Sequence, residues 1–225
     1  MTGQEKLADL RQKNIAYLRA AWEDANRMLP PDEWQECPYA GDGIPKLYRQ
    51  WTLDNYSAAW SGVAAEFLCG PSSVWSFLIT GAFGSRKTSF ACAVLRAWRD
   101  SWSADVANWH GPESAYSTGK DYGIFLPAYE AAERLRDLEH KAESLAQWQA
   151  TNFLVLDDLG ANRATPHIKE QLLFLLQFRY DECKKTVITS NLDLDGIRGE
   201  IDQRVSSRLQ EGLYRKLGAK DLRGT

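Results

Sequence analysis

The chain is poor in the residues that build metal sites and disulfide frameworks, with four cysteines and three histidines in 225 residues. Cys37, Cys69, Cys92 and Cys183 are scattered, without C-x-x-C or ligand spacing. This excludes a zinc ribbon or a stapled scaffold and points to a reducing, cytoplasmic setting. Cys92 falls in an apolar helical stretch and reads as a small core filler. There is no apolar run of about 18 residues and no N-terminal signal pattern, so no membrane span is expected. Neither charge sign dominates: the net charge is −3, which gives no global nucleic-acid signal. The distribution is uneven, because from Gly196 onward seven basic residues face four acidic ones, a weak basic patch. Internal repeats and low-complexity tracts are also missing.

What is present is enough apolar material for a sizeable core, at 44% of the chain. The length fits one domain with an extension. Nine tryptophans are many for this size. Indole rings can stack on single-stranded bases, but packing is the commoner use and is expected for most of them.

The strongest motif is Gly81-Ala82-Phe83-Gly84-Ser85-Arg86-Lys87-Thr88. It matches the phosphate-binding pattern G-x-x-x-x-G-K-[ST] except that Arg86 stands where the pattern has glycine. Val74–Thr80 before it reads as a buried strand, and Ser89–Leu95 after it as a helix, which is the context the motif requires. The backbone N–H groups of Gly81, Gly84, Ser85, Arg86 and Ser89 would surround phosphates at a helix N-terminus. Lys87 would reach the β- and γ-phosphates of ATP, and Thr88 would ligate Mg²⁺. Arg86 has three options in such a loop: to crowd the site, to point outward, or to add a phosphate contact.

Phe153-Leu154-Val155-Leu156-Asp157-Asp158-Leu159-Gly160 is a continuous apolar run ending in two carboxylates. Such a run reads as a central parallel strand buried on both faces, and its end opens at the ligand edge of the sheet. Asp157 would hold Mg²⁺, and Asp158 would orient or deprotonate an attacking water. Thr186–Asn191 is a further short strand that places Asn191 as a sensor of the γ-phosphate or lytic water. Arg204 and Arg208 are four residues apart on one predicted helix face. Either could be an arginine finger or an exposed ion-pair partner of Glu200 or Glu211.

In order along the chain, Gly43-Ile44-Pro45, Thr52-Leu53-Asp54-Asn55-Tyr56, the phosphate loop, Leu156-Asp157-Asp158-Leu159-Gly160, Thr189-Ser190-Asn191, Arg204-Val205-Ser206-Ser207-Arg208-Leu209 and Gly218-Ala219-Lys220-Asp221-Leu222-Arg223 resemble the DnaC/IstB group of AAA+ ATPases. The helicase loaders of that group fit best. The resemblance implies an α/β P-loop NTPase (AAA+) core with a parallel sheet flanked by helices, a helical N-terminal extension, and weak ATP hydrolysis. It implies Asn191 as sensor, and Arg208, with Arg204 beside it, as a finger acting on a neighbouring subunit. It also implies a hexameric replicative DNA helicase and single-stranded DNA as partners, and self-assembly into a ring or spiral. The alternative within the group is a transposition helper that acts on DNA with a transposase. Arg86 departs from the pattern and puts hydrolysis in question more than fold. No C-terminal helical lid of the kind most AAA+ ATPases carry is expected in the short stretch after the last strand.

The expected organisation is a partner-docking extension and linker over residues 1–50 and an ATPase core over 51–225. Apolar residues at spacings near three and four predict a helix over 3–29, stopped by Pro30-Pro31. A helix is expected over 53–69, then strand 74–80, helix 87–100, strand 122–126, helix 127–149, strand 153–157, helix 166–181, strand 186–190, helix 199–210 and strand 213–217. This alternation argues for right-handed βαβ crossovers. Residues 103–121 read as a polar loop or hairpin. Helix 127–149 carries Arg134, Arg136, His140 and Lys141 among several carboxylates. Mixed charge of that kind is usually a solvated face, with single-stranded DNA contact as the functional alternative.

Overall fold

A computed structural model describes residues 44–103, 123–161 and 165–218. The predicted helix over 3–29, most of the 30–50 linker and all of the 103–121 segment after Ser103 lie outside the described residues.

Five strands form one parallel sheet in the order β2-β3-β4-β1-β5. They are β1 Ser76–Gly81, β2 Ile124–Pro127, β3 Phe153–Asp157, β4 Lys185–Ser190 and β5 Leu213–Leu217. Before β1 the chain makes two 3₁₀ turns, Lys46–Tyr48 and Leu53–Asn55, and helix α1, Ala58–Cys69. Helices α2 (Lys87–Ser103), α3 (Ala128–Arg136), α4 (Lys141–Ala150), α5 (Pro166–Asp181), α6 (Leu194–Glu200) and α7 (Gln203–Gln210) fill the crossovers.

Strands β1 and β3 are buried along their whole length, as their unbroken apolar runs require. Their side chains alternate between two cores. Phe77, Ile79, Phe153, Val155 and Val187 face α1 and α2, with Cys92 fully buried among them as the expected filler. Trp75, Leu78, Leu154, Leu156 and Ile188 face α5, α7 and Trp148. The tryptophans that fall in these cores, Trp75, Trp98 and Trp148, are packing residues. β5 is one of the two edge strands and exposes Arg215 and Lys216, charges that discourage further strand pairing.

Three helix expectations differ from the structure. The stretch 127–149 is two helices, because Asp137 ends α3. Its carboxylate accepts from the Glu139 backbone N–H at 3.0 Å and meets His140 Nδ1 at 2.9 Å, local bonds that compete with helical ones. The stretch 199–210 is likewise divided. Asp202 caps α7 by accepting from the Arg204 N–H at 2.7 Å, and Asp193 caps α6 by accepting from the Gly196 N–H at 3.0 Å. Helix 53–69 begins only at Ala58, because Asn55 Oδ1 accepts from the Thr52 N–H at 2.7 Å and closes a 3₁₀ turn.

Below the sheet, at the starting ends of its strands, Arg179 is fully buried. Its guanidinium donates to Thr186 Oγ1, Trp148 O, Thr151 O and Lys185 O, each at 2.8 Å. Burial alone pulls its pKa down to about 9. This one side chain joins the end of α5 to α4 and β4.

Candidate nucleotide site

The phosphate loop leaves the finishing end of β1 and enters α2. Gly81 has φ +154°, and a Cβ there would meet the Leu217 carbonyl oxygen at 2.5 Å. Glycine is therefore required where the loop departs beside β5. Gly84 has φ +76° with open space around its Cβ position, so the centre of the loop stays uncovered. Ser85 is buried, and Ser89 Oγ donates to the Arg86 carbonyl at 3.0 Å in the first turn of α2.

Lys87 lies inside the loop. Its Nζ donates to Gly81 O at 2.8 Å, Ala82 O at 2.9 Å and Asn191 Oδ1 at 2.8 Å. Burial lowers its pKa, opposed by the charges of Asp158 and Asp157. Thr88 Oγ1 donates to Asp157 Oδ2 at 3.1 Å, so the hydroxyl and the carboxylate expected to hold a cation already touch. Asp157 is 8% exposed. Its pKa is raised, chiefly by burial, against the hydrogen bonds from Thr189 and Thr88.

Asp158 has φ +61°, a left-handed turn directly after the strand. The strain is held by neighbours: its N–H donates to Thr189 Oγ1 at 2.8 Å, and its Oδ1 accepts from Asn191 Nδ2 at 2.8 Å. Asn191 thereby bridges Lys87 and Asp158, linking three motifs that are far apart in sequence. Thr189 is the residue that the sequence reading passed over. Its Oγ1 donates to Asp157 Oδ1 at 2.6 Å while receiving the Asp158 N–H, so it orients the Asp157 carboxylate and holds the Asp158 backbone. Its place in Thr189-Ser190-Asn191, opposite Ile79 in the sheet register, was the available signal.

Arg86 points outward. Its backbone is left-handed, φ +63°, and its side chain is exposed with Cζ 4.8 Å from the Trp51 ring centroid. The loop interior is left to Lys87.

The structure does not bring Arg204 and Arg208 to this site. Arg208 stands at the opposite end of the sheet. Its carbonyl accepts from the Trp75 indole at 3.3 Å, and its Cζ lies 5.2 Å from the Tyr180 ring centroid. Trp75 and Tyr180 precede β1 and β4, whereas the phosphate loop follows β1. Arg204 is exposed and donates to Asp202 at 3.1 and 3.2 Å.

The residues present fit a nucleotide with Mg²⁺. The loop is open at Gly84, and one ammonium is aimed along it. An oxygen-only pair, Thr88 and Asp157, matches the preference of Mg²⁺ for a hydroxyl or carboxylate plus phosphate oxygens. Sheet order, phosphate loop and carboxylate pair together define a P-loop NTPase fold of the AAA+ type.

Solved structures share that fold. Domain III of the Thermotoga maritima replication initiation protein DnaA superposes with TM-score 0.59 at 19% identity, covering 78% of this chain and 68% of that one. The DnaC helicase loader superposes with TM-score 0.59 at 20% identity, covering 77% of this chain and 100% of that one. The replication initiator DnaA bound to AMPPCP and single-stranded DNA superposes with TM-score 0.57 at 17% identity, covering 77% of this chain. The matched region spans half of that DnaA chain, at 50%. No protein-family model and no curated protein sequence matches. No helix among the described residues is long and apolar enough to cross a membrane.

Proposed function

We propose that this protein is an ATP-dependent helicase loader. In this reading residues 51–225 bind ATP and assemble with further copies into a ring or spiral. Residues 1–50, chiefly the predicted helix over 3–29, grip a hexameric replicative helicase, which is delivered to single-stranded DNA in the cytoplasm. The observation that carries the reading is the single hydrogen-bonded network Thr88–Asp157–Thr189–Asp158–Asn191–Lys87, set in a fold shared with a DnaC helicase loader over that protein's whole matched chain. The DnaA structure with AMPPCP and single-stranded DNA supports the choice of ligands.

The chemistry assigned to each group follows from its place. Lys87 exchanges the Gly81 and Ala82 carbonyls for phosphate oxygens. Thr88 and Asp157 would hold Mg²⁺, which when bound would neutralise charge developing on the phosphate oxygens. Asp158, turned out of the strand, accepts a hydrogen bond from the attacking water. Asn191 holds Asp158 and Lys87 at a set separation, so that the water and the γ-phosphate are aligned. Arg208, far from its own loop, is presented to the loop of an adjacent copy, with Arg204 on the same helix.

Native mass spectrometry of the full chain mixed with its host's hexameric replicative helicase, with and without ATP, tests the reading. A defined complex, lost on deletion of residues 1–29, is expected. No complex in any nucleotide state would overturn it, and assembly on duplex DNA with a transposase would replace it by the transposition-helper alternative.

A further inference from the structure

Arg86 combines two unusual properties. It occupies a left-handed backbone position, φ +63°, which is costly for an L-residue and free for glycine. Its guanidinium is also fixed on an aromatic face, 4.8 Å above Trp51. Trp51 is itself anchored to the helix that follows the loop. Its ring centroid is 5.9 Å from Tyr56, Tyr56 is 4.9 Å from Phe90 in an edge contact, and Phe90 is 6.1 Å from Phe77 of β1. Arg96 of α2 donates to the carbonyls of both Arg49 and Trp51. An aromatic ladder therefore runs from the core to the loop's outer rim, and Arg86 caps it. A glycine there would leave the indole face bare.

We propose that Arg86 is a nucleobase-positioning residue of the nucleotide site. Held over Trp51, the guanidinium offers its outer face as a platform on which the nucleobase of a bound nucleoside triphosphate stacks. The inference rests on the reading of this loop as a nucleotide site. A phosphate loop by itself recognises only the polyphosphate tail. Holding the base as well needs contacts beyond the ribose, and bases stack on guanidinium planes as they do on aromatic rings. The outward direction of Arg86 removes it from the loop interior, where Lys87 is the ammonium aimed at phosphate.

Isothermal titration of the full chain with ATP and, separately, inorganic tripolyphosphate, both with Mg²⁺, tests this. In Arg86→Gly the Kd for ATP should rise about tenfold, the scale of one base stack, while that for tripolyphosphate stays close to wild type. Arg86→Lys keeps the charge and the backbone strain but loses the plane, and should show the same selective loss. Trp51→Leu, checked for folding by circular dichroism, should follow them; if it does not fold, the two Arg86 variants carry the test. Equal loss of both ligands in Arg86→Gly would make the residue a phosphate contact and overturn the proposal. A gain for both would make it a brake, with the same consequence. An unchanged ligand ratio in Arg86→Lys would show that charge alone acts. A wild-type chain that binds neither ligand, or Lys87→Ala binding both as well as wild type does, would instead overturn the nucleotide-site reading itself.

Discussion

Arg179 and Lys185 show how single side chains hold the floor of this sheet. Arg179 reaches four oxygens, three of them backbone carbonyls, from one planar group. Lysine cannot reproduce that fork. Arg179→Lys should cost about 3 kcal/mol, because buried carbonyls are left without donors. Thermal unfolding would register this as a drop of several degrees, with little change in nucleotide affinity. Lys185 Nζ donates to Phe67 O at 3.0 Å, Pro71 O at 3.1 Å and Val74 O at 2.9 Å, tying α1 to β4. Burial brings its pKa from 10.5 down to about 8. Between those two values the unfolded chain keeps a proton that the folded chain has released, so this group makes stability rise with pH across that window. Below it, both states are protonated and the contribution is constant. Urea titrations at several pH values should show that rise in the wild type and a flatter profile in Lys185→Met. At the nucleotide site, Asp157 has the opposite sense. If Asp157 holds Mg²⁺ as proposed, its raised pKa predicts that nucleotide binding weakens at a higher pH on acidification than an exposed aspartate would allow, which titration with ATP and Mg²⁺ at several pH values would show.

At the scale of elements, the break between α3 and α4 sets where basic side chains are displayed. Arg134 pairs with Glu130 at 2.7 Å, and Arg136 pairs with Glu133, all on exposed turns of α3. Exposed i,i+3 and i,i+4 pairs contribute little stability, so these arginines are free energetically to leave for phosphate. If α3 contacts single-stranded DNA, Arg134→Glu with Arg136→Glu should weaken binding steeply at low salt and flatten the salt dependence. Fluorescence anisotropy with a labelled oligonucleotide measures both, and unchanged binding would remove α3 from the interface. The break was hidden from periodicity, because Leu135, Leu138, Ala142, Leu145 and Trp148 recur at spacings of three and four across it. Only the Asp137–His140 hydrogen bonds, which depend on two polar side chains meeting, end the helix there. The P-loop strand, the Asp157 strand and α5 were legible because each is a long, uninterrupted apolar pattern between turn residues.

At the scale of the whole molecule, the height of the sheet separates Arg208 from the protomer's own phosphate loop. Leu213, just beyond α7, pairs with Phe77 near the start of β1, while Lys216 and Leu217 pair with Thr80 and Gly81 at its end. A finger at that position serves a neighbour or nothing. Arg208→Ala and Lys87→Ala should each abolish assembly-dependent ATPase activity, and mixing the two variants should restore a measurable fraction in phosphate-release assays. Failure of the mixture to recover activity, or an intact rate in Arg208→Ala, would dismiss action between subunits.

The sequence by itself determined the parallel α/β architecture, the phosphate loop and the strand that ends in Asp157 and Asp158. These are written in short-range periodicity and in residue types that tolerate few conformations. Tertiary structure alone decided which oxygens meet. Thr189 joins Asp157 to Asp158, and Asn191 joins Asp158 to Lys87, contacts between strands whose register no local pattern encodes. It also decided the direction of Arg86. A left-handed residue with a long cation has several places to go, and the one it takes depends on an indole that the chain supplies far upstream.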